Sequence, residues 1–213
     1  MPRGRFITLE GGEGTGKSSQ ARRLAERLRT AGLDVVATRE PGGSPGAEAI
    51  RALLVDGAAD RWSAASETLL MYAARCDHIE RVIAPALERG AWVVCDRFLD
   101  STRAYQGAGG GAAPSLIAAL EREVVGALMP DLTLVLDLPI QAGLRRAAHR
   151  AGGEARFEAK GAAFHERLRR AFLEIAAREP ERCAVVNAAA APGKVEASIW
   201  KLVQARLEVA ADG

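Results

Sequence analysis

Short apolar runs and amphipathic stretches alternate along this chain. Phe6-Ile7-Thr8-Leu9 is a β-prone run, and behind a glycine-rich segment Ala21, Leu24, Ala25 and Leu28 recur at helical spacing within 18–30. Val35-Val36-Ala37-Thr38 reads as a second strand. The turn Arg39-Glu40-Pro41-Gly42-Gly43-Ser44-Pro45 and a helix over 47–54 follow it. A long helical pattern covers 64–87; Pro85 interrupts it and Gly90 stops it. Trp92-Val93-Val94-Cys95 is a continuous apolar run ending in Asp96-Arg97. A helix over 116–125 precedes the strand 132–137, and helices over 141–150 and 157–177 flank a break at Gly152-Gly153. Ala184-Val185-Val186 is the last strand. The last helix, 195–207, carries Val195, Ile199, Leu202 and Val203 as its apolar stripe.

Several of these strands are apolar throughout instead of at every second position. Strands covered on both faces read that way, so the pattern predicts an α/β fold: a three-layer αβα sandwich around a five-stranded parallel sheet. Its 213 residues are best accommodated as one domain, 1–213. Ligand sites in such sheets lie at the carboxyl ends of the strands. Lys17, Arg39, Asp96 and Arg97 all fall at such ends.

The segment Gly11-Gly12-Glu13-Gly14-Thr15-Gly16-Lys17-Ser18 fits G-x-x-x-x-G-K-[ST] and sits between a strand and a helix. Glycines let backbone N–H groups turn inward around phosphate oxygens, and the helix N-terminus adds its positive end. Lys17 is placed to reach the β- and γ-phosphates and the Ser18 hydroxyl to hold Mg²⁺, so a nucleoside triphosphate is the expected ligand. Asp96 follows a buried strand, where a carboxylate binds Mg²⁺ through water; Arg97 beside it suits a transferred or accepting phosphate. A strand-end ion pair is the plain alternative. Arg39 opens a rigid Pro-Gly-Gly turn, near a ligand or simply at the surface. Tyr72 and Arg75 lie one helical turn apart and suit stacking on and hydrogen bonding to a base; Tyr72 as core serves the pattern equally. Tyr105 and Gln106 precede a glycine run, to read a ligand edge or to cap a loop. The stretch 145–158 sets Arg145, Arg146, Arg150 and Arg156 around the glycine break, either as a mobile lid or as a solvated basic connector.

Composition narrows the classes. Apolar residues make up 48% and charged residues 26%, the mix of an ordinary globular protein. The formal net charge of +2 creates no bulk field toward nucleic acid. Of 29 basic residues only four are lysines, a bias that base composition explains for most of the 25 arginines. No segment is long enough to cross a membrane, and Glu10 breaks the only apolar run near the start. Cys76, Cys95 and Cys183 are too widely spaced for a disulfide framework or a zinc site, so the cytoplasm is expected. His78, His149 and His165 have neither metal spacing nor a nucleophile partner and read as surface or helical packing residues. No Asn-Lys-x-Asp guanine motif occurs, which argues against a switch GTPase.

Taken together, five segments resemble bacterial thymidylate kinases: 6–18, then Thr-Arg-Glu-Pro-Gly-Gly, Tyr-Ala-Ala-Arg, Asp-Arg-Phe-Leu-Asp-Ser-Thr-Arg-Ala-Tyr-Gln-Gly and Pro-Asp-Leu-Thr-Leu-Val-Leu-Asp. They run in the family's order. The resemblance implies a P-loop kinase fold, transfer of the ATP γ-phosphate to dTMP giving dTDP, Mg²⁺ dependence and a homodimer. It puts Arg39 and Arg97 on the dTMP phosphate, Arg75 on the thymine carbonyl and Glu13 near the sugar 3′-hydroxyl. Ser101, Thr102, Tyr105 and Gln106 line the base and sugar pocket, and Gly11 to Ser18 hold the donor phosphates. Two positions depart from the pattern. Gly14 stands where some members carry an arginine, which turns attention to Arg150 and Arg156 of the lid, with Arg146 expected to be solvated. Met71 stands where an aromatic often stacks on the base, so Met71 and Tyr72 compete for that role. Two other readings of the residues remain at this point: another nucleoside monophosphate kinase, and a regulatory ATPase without transfer activity.

Overall fold

The computed structural model describes residues 3–58, 60–148 and 160–209. Five parallel strands form one sheet: β1 (Phe6–Glu10), β2 (Val35–Arg39), β3 (Trp92–Asp96), β4 (Leu132–Asp137) and β5 (Cys183–Asn187), in the spatial order β2-β3-β1-β4-β5. The strands are apolar throughout because both faces are covered. Ile7, Leu9, Val94 and Leu134 pack against Leu24 and Leu28 of α1 (Lys17–Thr30) and against Ile199 and Val203 of α9 (Pro192–Leu207) on one face. On the other, Phe6, Val93 and Cys95 meet Tyr72 of α3 (Ala64–His78), Ile83 and Leu87, while Val135 meets Phe172 of α8 (Ala162–Arg178). The three-layer α/β sandwich read from the sequence is the fold observed.

The connections position the site. Chain order reverses across β1: its neighbours are β3 on one side and β4 on the other. A crevice opens at such a switch point, beyond the carboxyl ends of the strands. The register sets Leu9, Asp96 and Arg39 side by side along that edge.

Three elements differ from the sequence expectation. The helix bearing Pro85 does not break there. A π-helical turn, Ile79–Ile83, separates α3 from α4 (Ala84–Glu88), and Pro85 falls in the first turn of α4, where its missing N–H costs least. A second π turn, Glu121–Val125, ends the helix that begins as α6 (Pro114–Leu120). The segment after Arg97, to which the sequence pattern assigned no element, is helical: α5 (Leu99–Thr102) runs on through a π-helical stretch, Arg103–Gly109. Helix α2 (Pro45–Val55) packs beside α3, and α7 (Ile140–Ala148) follows β4.

Candidate active site

The glycine loop is built from backbone. The glycine loop leaves β1 and enters α1 through Gly16, whose φ of 90° is natural only for glycine. Lys17 Nζ donates to the Gly12 carbonyl of its own loop at 2.7 Å and touches Thr15 Oγ1 at 3.4 Å. Burial and the nearby Arg97 push the Lys17 ammonium down to about 8. A triphosphate would relieve both effects by supplying the missing negative charge. Ser18 Oγ donates to Asp96 Oδ2 at 2.5 Å, while Asp96 Oδ1 is buried without a hydrogen-bond partner. One hydroxyl beside one half-satisfied carboxylate is the donor set that suits Mg²⁺, which keeps waters and phosphate oxygens for its other positions. Among the described residues, no cluster of three or more His, Cys, Asp or Glu would cage a cation.

Gly14 has a structural reason to lack a side chain. Its φ is +68°, and a Cβ there would lie 2.0 Å from the carbonyl oxygen of Gly143 on α7. Gly143 in turn has Glu13's carbonyl where its own Cβ would be, at 2.5 Å. The loop and α7 therefore meet glycine to glycine, and an arginine at this position has no room. Arg150 and Arg156, the expected lid arginines, lie outside the described residues. Arg146 is exposed yet tethered, donating to the Ala188 carbonyl at 3.1 Å.

Facing the loop, a cleft of about 180 Å³ is lined by Lys17, Ser18, Asp96, Arg39, Arg51 and Arg97, among others. Arg97 has a left-handed backbone, φ 73°, a strained setting for an arginine. It is held there on all sides. Its guanidinium donates to Glu13 Oε1 at 2.8 Å, the Tyr105 hydroxyl at 3.0 Å, Ser101 Oγ at 3.2 Å and the Gly11 carbonyl at 3.3 Å. Tyr105 also donates to Glu13 Oε1, at 2.6 Å, and burial keeps its phenol protonated. Arg39 donates from Nη2 to both oxygens of Glu48, at 3.0 and 3.1 Å, at the cleft's exposed rim. Arg51, which the sequence reading passed over, donates to the Pro41 carbonyl at 2.8 Å.

A second cavity opens beside the cleft, lined by Glu40, Pro41, Met71, Arg75, Phe98, Thr102 and Gln106 together with Arg97, Ser101 and Tyr105. Met71 and Arg75 are i and i+4 on α3 and share a face toward it. Tyr72, one residue on, is rotated into the core, 1% exposed, with the Arg75 guanidinium 4.8 Å above its ring centroid. So Met71 lines the cavity, while Tyr72, which the sequence left open between base stacking and core, lies in the core beneath Arg75. Arg75 donates from Nε to Glu40 and from Nη2 to the Phe98 carbonyl and Thr102 Oγ1. Its Nη1 is buried with no partner among the described residues. A buried donor left unpaired costs free energy and calls for an acceptor from a ligand. Gln106 is oriented by Glu67, to which it donates at 2.8 Å.

Behind both cavities lies Glu10, which carried no motif signal of its own. It is fully buried at the end of β1 and accepts from the Phe98 and Ser101 N–H groups and from Ser101 Oγ. Strand β1 thus supplies, from 88 residues earlier, a cap for the first turn of α5. Burial and the neighbouring Asp100 carboxylate raise Glu10 to about 7. His78, expected at the surface or in helix packing, is fully buried and hydrogen-bonded to Glu40 and Thr38.

The comparisons with known proteins agree with this geometry. The sequence model of the family "Thymidylate kinase" matches residues 9–199. The thymidylate kinase of Caulobacter vibrioides is 67% identical over 207 residues, 97% of this chain and 99% of that protein. That of Nitrobacter hamburgensis is 55% identical over 98% of this chain and 91% of its own. The crystal structure of thymidylate kinase from Ehrlichia chaffeensis superposes with a TM-score of 0.77 at 35% identity, covering 95% of this chain and all of that one. A glycine loop with its lysine, a basic cleft in front of it and a side cavity with one unpaired arginine nitrogen are thus carried by a chain that belongs to the thymidylate kinase family.

Proposed function

We propose that the cleft seats the phosphates of ATP on the glycine loop and the monophosphate of dTMP between Arg39 and Arg97, with the thymine in the side cavity. As a member of its family the chain is an ATP-dependent kinase that converts dTMP to dTDP. Such transfer needs in-line positioning and neutralisation of the phosphoryl oxygens more than covalent work by the protein. Lys17 leaves the Gly12 carbonyl for the β- and γ-phosphates. Ser18 and Asp96 are the residues that would hold Mg²⁺, which when bound neutralises and orients phosphate oxygens. Arg97 and Arg39 align the acceptor, and the strained setting of Arg97, anchored by four hydrogen bonds from its terminal nitrogens, supports a preorganised contact. Glu13 and Tyr105 face the sugar, with Glu13 toward its 3′-hydroxyl. Met71 packs on the base while Ser101, Thr102 and Gln106 complete its surroundings. The segment 145–158 acts as a lid on the single domain, bringing Arg150 and Arg156 to the charge that Gly14 does not supply.

The observation that carries this reading is Arg75, whose side chain lines the side cavity and whose Nη1 is buried with no partner among the described residues. A pyrimidine carbonyl satisfies it. We further read the chain as a cytoplasmic homodimer. The packed helices α2 and α3 leave Leu53 and Leu69 exposed, and all three cysteines are free. Among the described residues no helix is long and apolar enough to span a membrane. An assay coupling ADP release to each of dTMP, dUMP, dCMP, dGMP and AMP tests the acceptor assignment. The expected result is the highest kcat/KM with dTMP; a higher value with AMP or dCMP overturns it.

A further inference from the structure

A chain of hydrogen bonds leads from the side cavity into the interior. Arg75 Nε donates to Glu40 Oε2 at 2.8 Å. The other oxygen of that carboxylate, Oε1, lies 3.1 Å from His78 Nδ1, and His78 Nε2 lies 2.7 Å from Thr38 Oγ1. Arg75, Glu40 and His78 are all buried. A carboxylate only accepts, so Nδ1 carries a proton and donates to Glu40. In the neutral ring Nε2 is then the acceptor, and the Thr38 hydroxyl donates to it.

His78 does not line the side cavity or the phosphate cleft. It joins the two segments that do. It stands one turn after Arg75 on α3, and it reaches across to the turn that carries Arg39 and Glu40. That turn is seated on it: a Cβ at Gly43 would lie 2.4 Å from His78 Nε2 and 2.5 Å from Thr38 Oγ1. The partition of Glu40's oxygens matters for Arg75. A carboxylate with both oxygens available takes a guanidinium as a fork, through two parallel N–H groups. With Oε1 occupied by His78, Glu40 holds Arg75 through Nε alone, and Nη2 remains with Phe98 and Thr102. That arrangement leaves Nη1, on a side chain that lines the cavity, as the guanidinium nitrogen with no hydrogen-bond partner among the described residues. Were Oε1 released, the fork would draw Nη2 off Phe98 and Thr102 and turn Nη1 away.

We propose that His78 is a positioning residue for the acceptor: by occupying one oxygen of Glu40 it keeps Arg75 in the orientation that presents Nη1 to the base. This rests on Arg75 reading the base of dTMP. The test separates the two ring nitrogens. His78→Asn places an amide donor near the Nδ1 position and keeps the bond to Glu40; His78→Gln reaches toward the Nε2 position and loses it. KM for dTMP, KM for ATP, kcat and Tm are measured for both, for His78→Ala, for Arg75→Ala and for the His78→Gln, Arg75→Ala double variant. The expected result is a KM for dTMP raised about tenfold by Gln and Ala, consistent with an orphaned buried acceptor, and restored to within about threefold by Asn. KM for ATP and kcat stay close to their original values, and Asn and Gln lower Tm by similar amounts. In the Arg75→Ala background, His78→Gln adds no further rise. Equal KM for dTMP in Asn and Gln, or an additive rise in the double variant, overturns the proposal while leaving Arg75's role intact. A normal KM for dTMP in Arg75→Ala itself overturns the base-reading assignment, and the positioning role with it.

Discussion

The two sides of the cleft proposed to hold the phosphate donor and the acceptor are built by different means. The donor side is one contiguous segment, Gly11 to Ser18, whose working parts are backbone N–H groups, one helix end and Lys17. The acceptor side gathers side chains from β2, α3, the α5 region and the glycine loop, held by buried carboxylates: Glu13 on Arg97, Glu40 on Arg75, Glu67 on Gln106. A backbone cradle binds any phosphate chain and is recognisable from eight residues. A side-chain pocket is specific because each group is aimed by another, and no short motif encodes that aim. On the proposed reading, phosphate handling and base choice are built by different means, joined through Glu13 of the glycine loop, which holds Arg97 and Tyr105.

Perturbing the two sides differently breaks or sharpens this contrast. The largest effect is expected at the lid. Arg150→Ala or Arg156→Ala should depress kcat by about 10³-fold with KM for dTMP nearly intact, because an arginine on the transferring phosphoryl group acts mainly in the transition state. Near-full kcat in both variants would move the missing charge elsewhere. Lys17→Ala should lower kcat roughly 10²-fold or more without altering the fold, as judged by circular dichroism. Gly14→Ala should lower Tm by several degrees and reduce turnover, since the new Cβ meets the Gly143 carbonyl at 2.0 Å and both partners are backbone. An unchanged Tm would contradict the glycine-to-glycine contact.

The smallest effect is a slope. Glu10 is raised from 4.5 to about 7, so between those values the folded state binds more protons than the unfolded chain. Its contribution to stability is present below about pH 4.5 and is lost as pH rises through about 7. Denaturant titrations of the protein and of Glu10→Gln should differ in this window, the variant losing less stability from about pH 5 to about pH 7. Parallel pH profiles would show that Glu10 is ionised as readily in the folded chain as outside it.

The same contrast explains what the sequence made legible. Strands such as 132–137 stood out because a parallel sheet needs both faces apolar, and the glycine loop because its chemistry is local. The helix after Arg97 was not assigned because Ser101, Thr102 and the glycines from Gly107 onward give no helical apolar spacing; its first turn is capped by Glu10, a partner 88 residues away. Pro85 read as a break because the π turn before it leaves no sequence signature. Met71 was separable from Tyr72 in principle, since 71 and 75 share a helix face, but the burial that sends Tyr72 inward belongs to the packing of α3 on β3. His78 gave no signal, because a buried histidine with partners 38 and 40 residues earlier has no spacing to recognise.

The measurement that bears most directly on the separation is calorimetric titration of Arg75→Ala with dTMP and, separately, with a non-hydrolysable ATP analogue. Removing the one unpaired donor of the base cavity should weaken dTMP binding about tenfold or more, the cost of a lost hydrogen bond from a charged group, and leave the analogue's Kd unchanged. Loss of analogue binding, or equal loss of both ligands, would contradict a base contact at Arg75 that acts apart from the phosphate-binding backbone of the glycine loop.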